Sequence, residues 1–232
     1  VLYHQSQYVE ASVLLQPLHN TWPESSLGGP ALRLFGLASI KSGNVQGAVA
    51  AFETFSRRYP ESGEASLNRL DWGKALIFQE KLKEAISVLQ PIMLDSETGP
   101  LANEARYWIG KAHLQGKESD QGLAVLAPLL EDDDIADDLR VKVVLAASRE
   151  VAQAGDVNRA LALLSTALED VHSSDTKREL IHALCDVLLD AGRIDDATPL
   201  VKDYVTSNPD AVTAAELQLR LGDALLEIEQ YE

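Results

Sequence analysis

Three groups of side chains in this 232-residue chain are of types that can do chemistry: an acidic run, a scatter of histidines with one cysteine, and a spaced series of cations and aromatics. The run Glu131 to Asp138 (EDDDIADD) offers the carboxylate oxygens that calcium takes, but it lacks the alternating ligands and the obligatory glycine of a helix-loop-helix calcium site. It reads as a solvated connection whose last aspartates face the positive N-terminus of the next helix. His4, His19, His113, His172 and His182 have no carboxylate or cysteine at metal-ligand spacing, so no metal site is expected. Cys185 stands alone, which excludes an internal disulfide, and its place in the pattern below assigns it to packing. A phosphate-cradling loop ending in Lys-Ser/Thr, a Gly-x-Ser-x-Gly elbow and a His-Glu-x-x-His helix are all missing. No catalytic residue and no cofactor is therefore expected, and the chain reads as non-enzymatic.

The cations and aromatics depend on the elements that carry them, and those elements repeat. Small residues recur at Ala11, Ala48, Ala85, Gly122, Ala160 and Ala197, at intervals of 37, 37, 37, 38 and 37 residues. Four places after each comes a large apolar residue (Leu15, Phe52, Leu89, Leu126, Leu164, Val201), and three further on another apolar one (Leu18, Phe55, Ile92, Leu129, Ala167, Tyr204). Spacings of four and seven mark one face of a helix. Twelve places before the small residue lies a second, at Gly36, Gly73, Gly110, Ser148 and Cys185, with Gly222 opening another copy. Each unit is thus two helices that cross closely, with turns clearest at Ser42-Gly43-Asn44, Ala154-Gly155-Asp156 and Ala191-Gly192-Arg193. Pro91 and Pro128 fall inside second helices and are expected to bend or interrupt them.

These residues resemble the tetratricopeptide repeat: a small residue late in the first helix, an alanine opening the second (replaced here once, by Gly122), a large apolar residue four later, and a closing proline. Gly36, Ala48, Phe52 and Pro60 show it best, and Gly192, Ala197, Tyr204 and Pro209 keep much of it. The period is about three longer than that family's usual length of about 34. The resemblance implies an all-α fold, a right-handed α-solenoid of stacked antiparallel helix pairs. The expected layout is one array over 1–232: a partial repeat at 1–29, repeats at 30–62, 63–99, 100–137, 138–174 and 175–211, and a truncated final helix at 212–232. At this N-terminal end, a helix over about Gln7 to Leu18 precedes a loop through Pro23, Gly28, Gly29 and Pro30, with Trp22 and Leu27 folding back onto the array. The first residues form neither a signal sequence nor a Met start, so neighbouring sequence is expected beyond both ends.

At about 100° per residue, the places six and three before the first-helix small residue, and one and five after it, share a face. In proteins similar to this one that face lines a concave groove, which sets the candidate partner-binding residues: Arg33, Lys41, Lys74, Phe78, Tyr107, Lys111 and Arg149. The groove is expected to be basic with aromatics through the first four repeats and acidic in the last two. It would take an extended or helical segment of a protein, its acidic part over the basic stretch. The carboxylate clamp of chaperone-binding relatives does not match, because Asn is absent from these places.

Charge limits the partners. The chain carries 20 Lys and Arg against 36 Asp and Glu, a net charge of −16, most of it in residues 100–232, where 12 basic side chains face 26 acidic ones. Phosphate contact needs clustered cations, so nucleic acid is not expected, and with it the RNA-reading pentatricopeptide class. No apolar run approaches the roughly 20 residues that span a bilayer. The run Phe52 to Ser62 (FETFSRRYPES) is similar to repeats of bacterial cell-envelope proteins, which implies periplasm or envelope before cytoplasm. A helical accessory region of a longer enzyme and a self-associating module, a homo-oligomer, are the alternatives to a partner-binding scaffold.

Overall fold

A computed structural model describes residues 3–21, 25–95, 99–132, 134–209 and 211–231. All regular structure among them is helical. The chain divides into two compact units, residues 1–125 and 126–232. In the first, α1 (Tyr8–Leu15) and the short α2 (Leu18–Thr21) precede the pairs α3 (Gly28–Lys41) with α4 (Val45–Arg58) and α5 (Ala65–Phe78) with α6 (Leu82–Leu94), followed by α7 (Pro100–Gln115). Helix α8 (Ser119–Leu130) runs across the division. The second unit holds α9 (Asp137–Gln153) with α10 (Val157–Asp170), α11 (Ser174–Asp190) with α12 (Ile194–Ser207), and α13 (Val212–Tyr231). Within the first unit α3 packs on α4 and α5 on α6, and within the second α9 packs on α10 and α11 on α12.

The repeated apolar residues form the core. Phe52, Leu89, Leu126 and Leu164 are fully buried, as are Phe55, Ile92 and Leu129 three places on, and burying each such side chain contributes about 1.5–3 kcal/mol. The first-helix glycines exist because these side chains press on them. A Cβ at Gly36 would stand 2.5 Å from Phe52 Cε1, and one at Gly73 would stand 2.4 Å from Leu89 Cγ. A buried polar tie fixes the next crossing: Asn68 on α5 donates to Phe52 O and Ser56 Oγ of α4, both at 3.0 Å.

Turns between partners follow one design. Gly43, Gly155 and Gly192 adopt φ of +85°, +93° and +68°. At the matching place in the repeat, Ser6, Glu80 and Lys117 adopt φ of 60° without being glycine. In the five complete turns the next amide reaches back to a carbonyl five residues earlier, as in Asn44 N to Ser39 O (2.8 Å) and Lys81 N to Leu76 O (3.0 Å). Asn44 and Asp156 then cap α4 and α10, accepting from Gly47 N (2.9 Å) and Arg159 N (3.1 Å).

Several expectations are corrected. Gly28, Gly29 and Pro30 are the first turn of α3 rather than a loop. A proline there lacks only an amide that would have no helical partner. Gly29 stands where a Cβ would lie 3.3 Å from Phe55 Cε2. Leu27 is 71% exposed and does not fold back, while Trp22 and Pro23 lie outside the described residues. The helix expected over Gln7 to Leu18 stops at Leu15, two residues before Pro17. Pro91 and Pro128 do not interrupt α6 and α8: both lie within the last turn, and the carbonyls they leave without a donor belong to the exposed residues Ser87 and Ala124. Of the acidic connection, Asp137 and Asp138 open α9, as expected for helix N-terminal charge, and Ile135 is buried. Asp133 lies outside the described residues.

Candidate partner-binding face

In the first unit the expected face is built from α3, α5 and α7, and its cations are answered from the next repeat. Arg33 on α3 donates to Asp71 Oδ2 of α5 through Nε (2.9 Å) and Nη2 (2.7 Å), and its Nη1 lies 3.9 Å from Glu64. Burial pushes the Asp71 carboxyl above its ordinary range, and the Arg33 guanidinium pulls the other way. Lys74 on α5 pairs with Glu104 of α7. These are half-buried bridges between consecutive first helices.

The aromatics gather around one residue that the expected set did not contain. The Trp108 ring has Lys111 Nζ at 4.9 Å and Lys74 Nζ at 5.6 Å from its centroid, both within cation-π reach. Its Nε1 lies 3.5 Å from Glu104 Oε1. Phe78 stands edge-on at 6.4 Å and is 60% exposed. Tyr107 touches Trp108 at 5.3 Å but is buried, which also pushes its phenol pKa up. Tyr107 is therefore part of the floor and does not offer its ring to a ligand. Lys41 is exposed at the end of α3.

In the second unit the corresponding face of α9 and α11, with α12 and α13 beside it, forms an open groove of about 1020 Å³. Its lining includes Leu145, Arg149, Glu179, His182, Asp186 and Asp190, all at the four expected places. Arg149 is exposed there. Arg220 of α13 reaches back to Asp186 and, at 2.6 Å, to Asp190 of α11. His182 Nδ1 lies 3.2 Å from Asp186, and its ring meets Tyr204 edge-on at 6.0 Å. Two of the expected acids, Asp186 and Asp190, thus share one guanidinium within the unit. Cys185 is fully buried beneath this face, and desolvation together with Asp186 pushes its thiol up to about 11, so it packs and does not react.

What the expected set missed has a common address. Asp71, Trp108 and Arg220 all sit two places before the first-helix small residue. That place is turned by only about 20° from the one five after it. The signal was present in the sequence, one place outside the chosen four. Among the described residues no group of three or more His, Cys, Asp or Glu could hold a metal ion, and no helix is long and apolar enough to cross a membrane.

Comparisons with known proteins agree with this geometry. Two family models, both described as tetratricopeptide repeat, match residues 31–62 and 70–134. A tetratricopeptide repeat protein from Parabacteroides merdae superposes with a TM-score of 0.63 at 14% identity, over 87% of this chain and 78% of that one. PilF of Pseudomonas aeruginosa gives 0.66 at 13% identity, over 94% and 92%. YrrB, described as a TPR protein with an unusual peptide-binding site, gives 0.53 at 12% identity, over 86% and 96%. Curated proteins return no match. The chain has the tetratricopeptide-repeat fold, an all-α solenoid type, and it carries the family's repeat at least over the two matched stretches.

Proposed function

We propose that the protein is a non-enzymatic scaffold that binds an extended or helical segment of a partner protein along the first-helix face of its repeats. The observation that carries this reading is the groove of about 1020 Å³ in the second unit, lined from the places that the repeat pattern turns outward. Its charged walls are held by Arg220, Asp186 and Asp190 contacts made before any partner arrives, and such preorganisation lowers the cost of binding. The peptide-binding site named for YrrB, which shares the fold, supports the same use of it here.

Partner recognition would draw on side chains not already neutralised. Lys111 in the first unit and Arg149 in the second meet no carboxylate among the described residues, so at each of them an acidic side chain of the partner is the natural complement. The envelope-like run Phe52 to Ser62 supports a bacterial cell-envelope setting. The test is a pull-down with the intact gene product, repeated with Lys111 and Arg149 both changed to Glu. Loss of a co-eluting protein at low salt supports the scaffold and its charge reading. An unchanged set of co-eluting proteins removes the electrostatic part.

A further inference from the structure

We propose that the α5–α7 face of the first unit recognises a partner segment in which a flat apolar side chain is followed closely by a carboxylate. The apolar group lies on Phe78 and Trp108, and the carboxylate meets Lys111. This rests on the scaffold reading and names the chemistry of the partner at one place on that face.

The repeat itself supplies the control. Five places after the first-helix small residue the series is Lys41, Phe78, Gln115, Gln153, Asp190 and Glu227, so the fold accepts polar side chains there in every copy but one. Two places before it the series is Leu34, Asp71, Trp108, Ala146, Ala183 and Arg220, with a tryptophan once. The repeat period demands an aromatic at neither place, yet the two copies bring them together, edge to face at 6.4 Å, with Trp108 half-buried against the core and Phe78 left 60% exposed. Exposed aromatic anchors of this kind dominate protein interfaces.

Charge decides what accompanies the apolar group. Lys74 is taken by Glu104, whereas Lys111 has only the indole face at 4.9 Å. An exposed cation-π contact leaves most of an ammonium's charge available to an outside anion. A cation of the partner would meet Lys111 at the same ring and be repelled, which disfavours a basic segment at this spot although the chain as a whole is acidic.

The experiment uses fluorescein-labelled peptides of repeated Glu-Phe-Ser triplets, with Lys-Phe-Ser and Glu-Ala-Ser counterparts, titrated with the full chain by fluorescence anisotropy. The Glu-Phe-Ser peptide is expected to bind at least about tenfold tighter than either counterpart, and Phe78→Ala or Lys111→Glu should each remove about tenfold. Phe78 is exposed, so its truncation leaves the fold intact, and Trp108→Phe serves as a variant that keeps a ring. Equal binding of the Glu and Lys peptides overturns the proposal, as does indifference to both substitutions. If binding is instead lost only in Arg149→Glu, this site falls while the scaffold reading stands. If no peptide binds and no first-helix amide resonance shifts in either unit, both fall.

Discussion

Helix α5 in the first unit and helix α13 in the second carry a glycine at the same place of the repeat, and the two glycines have different surroundings. Around Gly73 the side chain of Leu89 fills the space a Cβ would need, and Leu76 and Ile77 just beyond are buried. Around Gly222 nothing comes within 4 Å of that position, and the matching Leu225 and Leu226 are 43% and 57% exposed. The periodic glycine therefore matters through the second helix that packs over it. The contrast isolates that second helix: α6 presses Leu89 onto Gly73, whereas no helix within these 232 residues follows α13.

The largest effect expected from this contrast is at Gly73. Gly73→Ala places a methyl 2.4 Å from Leu89, which is itself fully buried and has nowhere to move, so it should destabilise by about 1–3 kcal/mol in thermal or urea unfolding. Gly222→Ala meets no neighbour and replaces a poor helix former, so it should be neutral or stabilise by up to about 1 kcal/mol. Equal losses at both sites would mean that backbone entropy, rather than the crossing, governs the small-residue period.

The turns sharpen the comparison on a smaller scale. Gly43, Gly155 and Gly192 occupy the left-handed region where Glu80 and Lys117 do so with a Cβ. That conformation costs roughly 1–2 kcal/mol for an L-residue. Glu80→Gly and Lys117→Gly should therefore each raise stability by up to about 1 kcal/mol once the added freedom of glycine in the unfolded chain is set against it. Calorimetry on the two single variants measures this. A fall in Tm for both would show that the Glu80 and Lys117 side chains make contacts that outweigh their backbone strain.

The same turns show how far the sequence could be read. Glycine made three of the five complete turns visible, and the period of the small residues located the helix pairs. Glu80 and Lys117 could not be recognised by type, because strain leaves no mark on composition. Gly28-Gly29-Pro30 misled for the opposite reason: breaker residues ordinarily mark a loop, but here Phe55 and Tyr59 crowd Gly29, and the proline falls in a helix's first turn. On the candidate face, helical geometry located the cations, yet it could not show that Arg33 and Lys74 are neutralised across repeats by Asp71 and Glu104. Those pairs depend on the offset between neighbouring helices, which a single-helix angle does not contain. Tyr107 has a place on the face by helical angle but is buried, with the Trp108 ring beside it at 5.3 Å.

The smallest effect concerns Asp71, where burial and Arg33 act in opposite directions and burial is the larger. A carboxyl whose folded pKa lies above its unfolded value holds its proton more readily in the native state. Its contribution to stability is fully present below the unfolded value and is lost as pH rises through the folded one. Asp71→Asn does not titrate, so the stability of that variant relative to the parent should improve as pH climbs from the ordinary carboxylate range to just above it. Urea midpoints for both proteins across that window give the sign directly. A relative loss for the variant with rising pH would mean that the Arg33 guanidinium dominates and that the bridge between α3 and α5 holds the carboxylate charged, making this crossing as dependent on charge as the α5 and α7 crossing joined by Lys74 and Glu104.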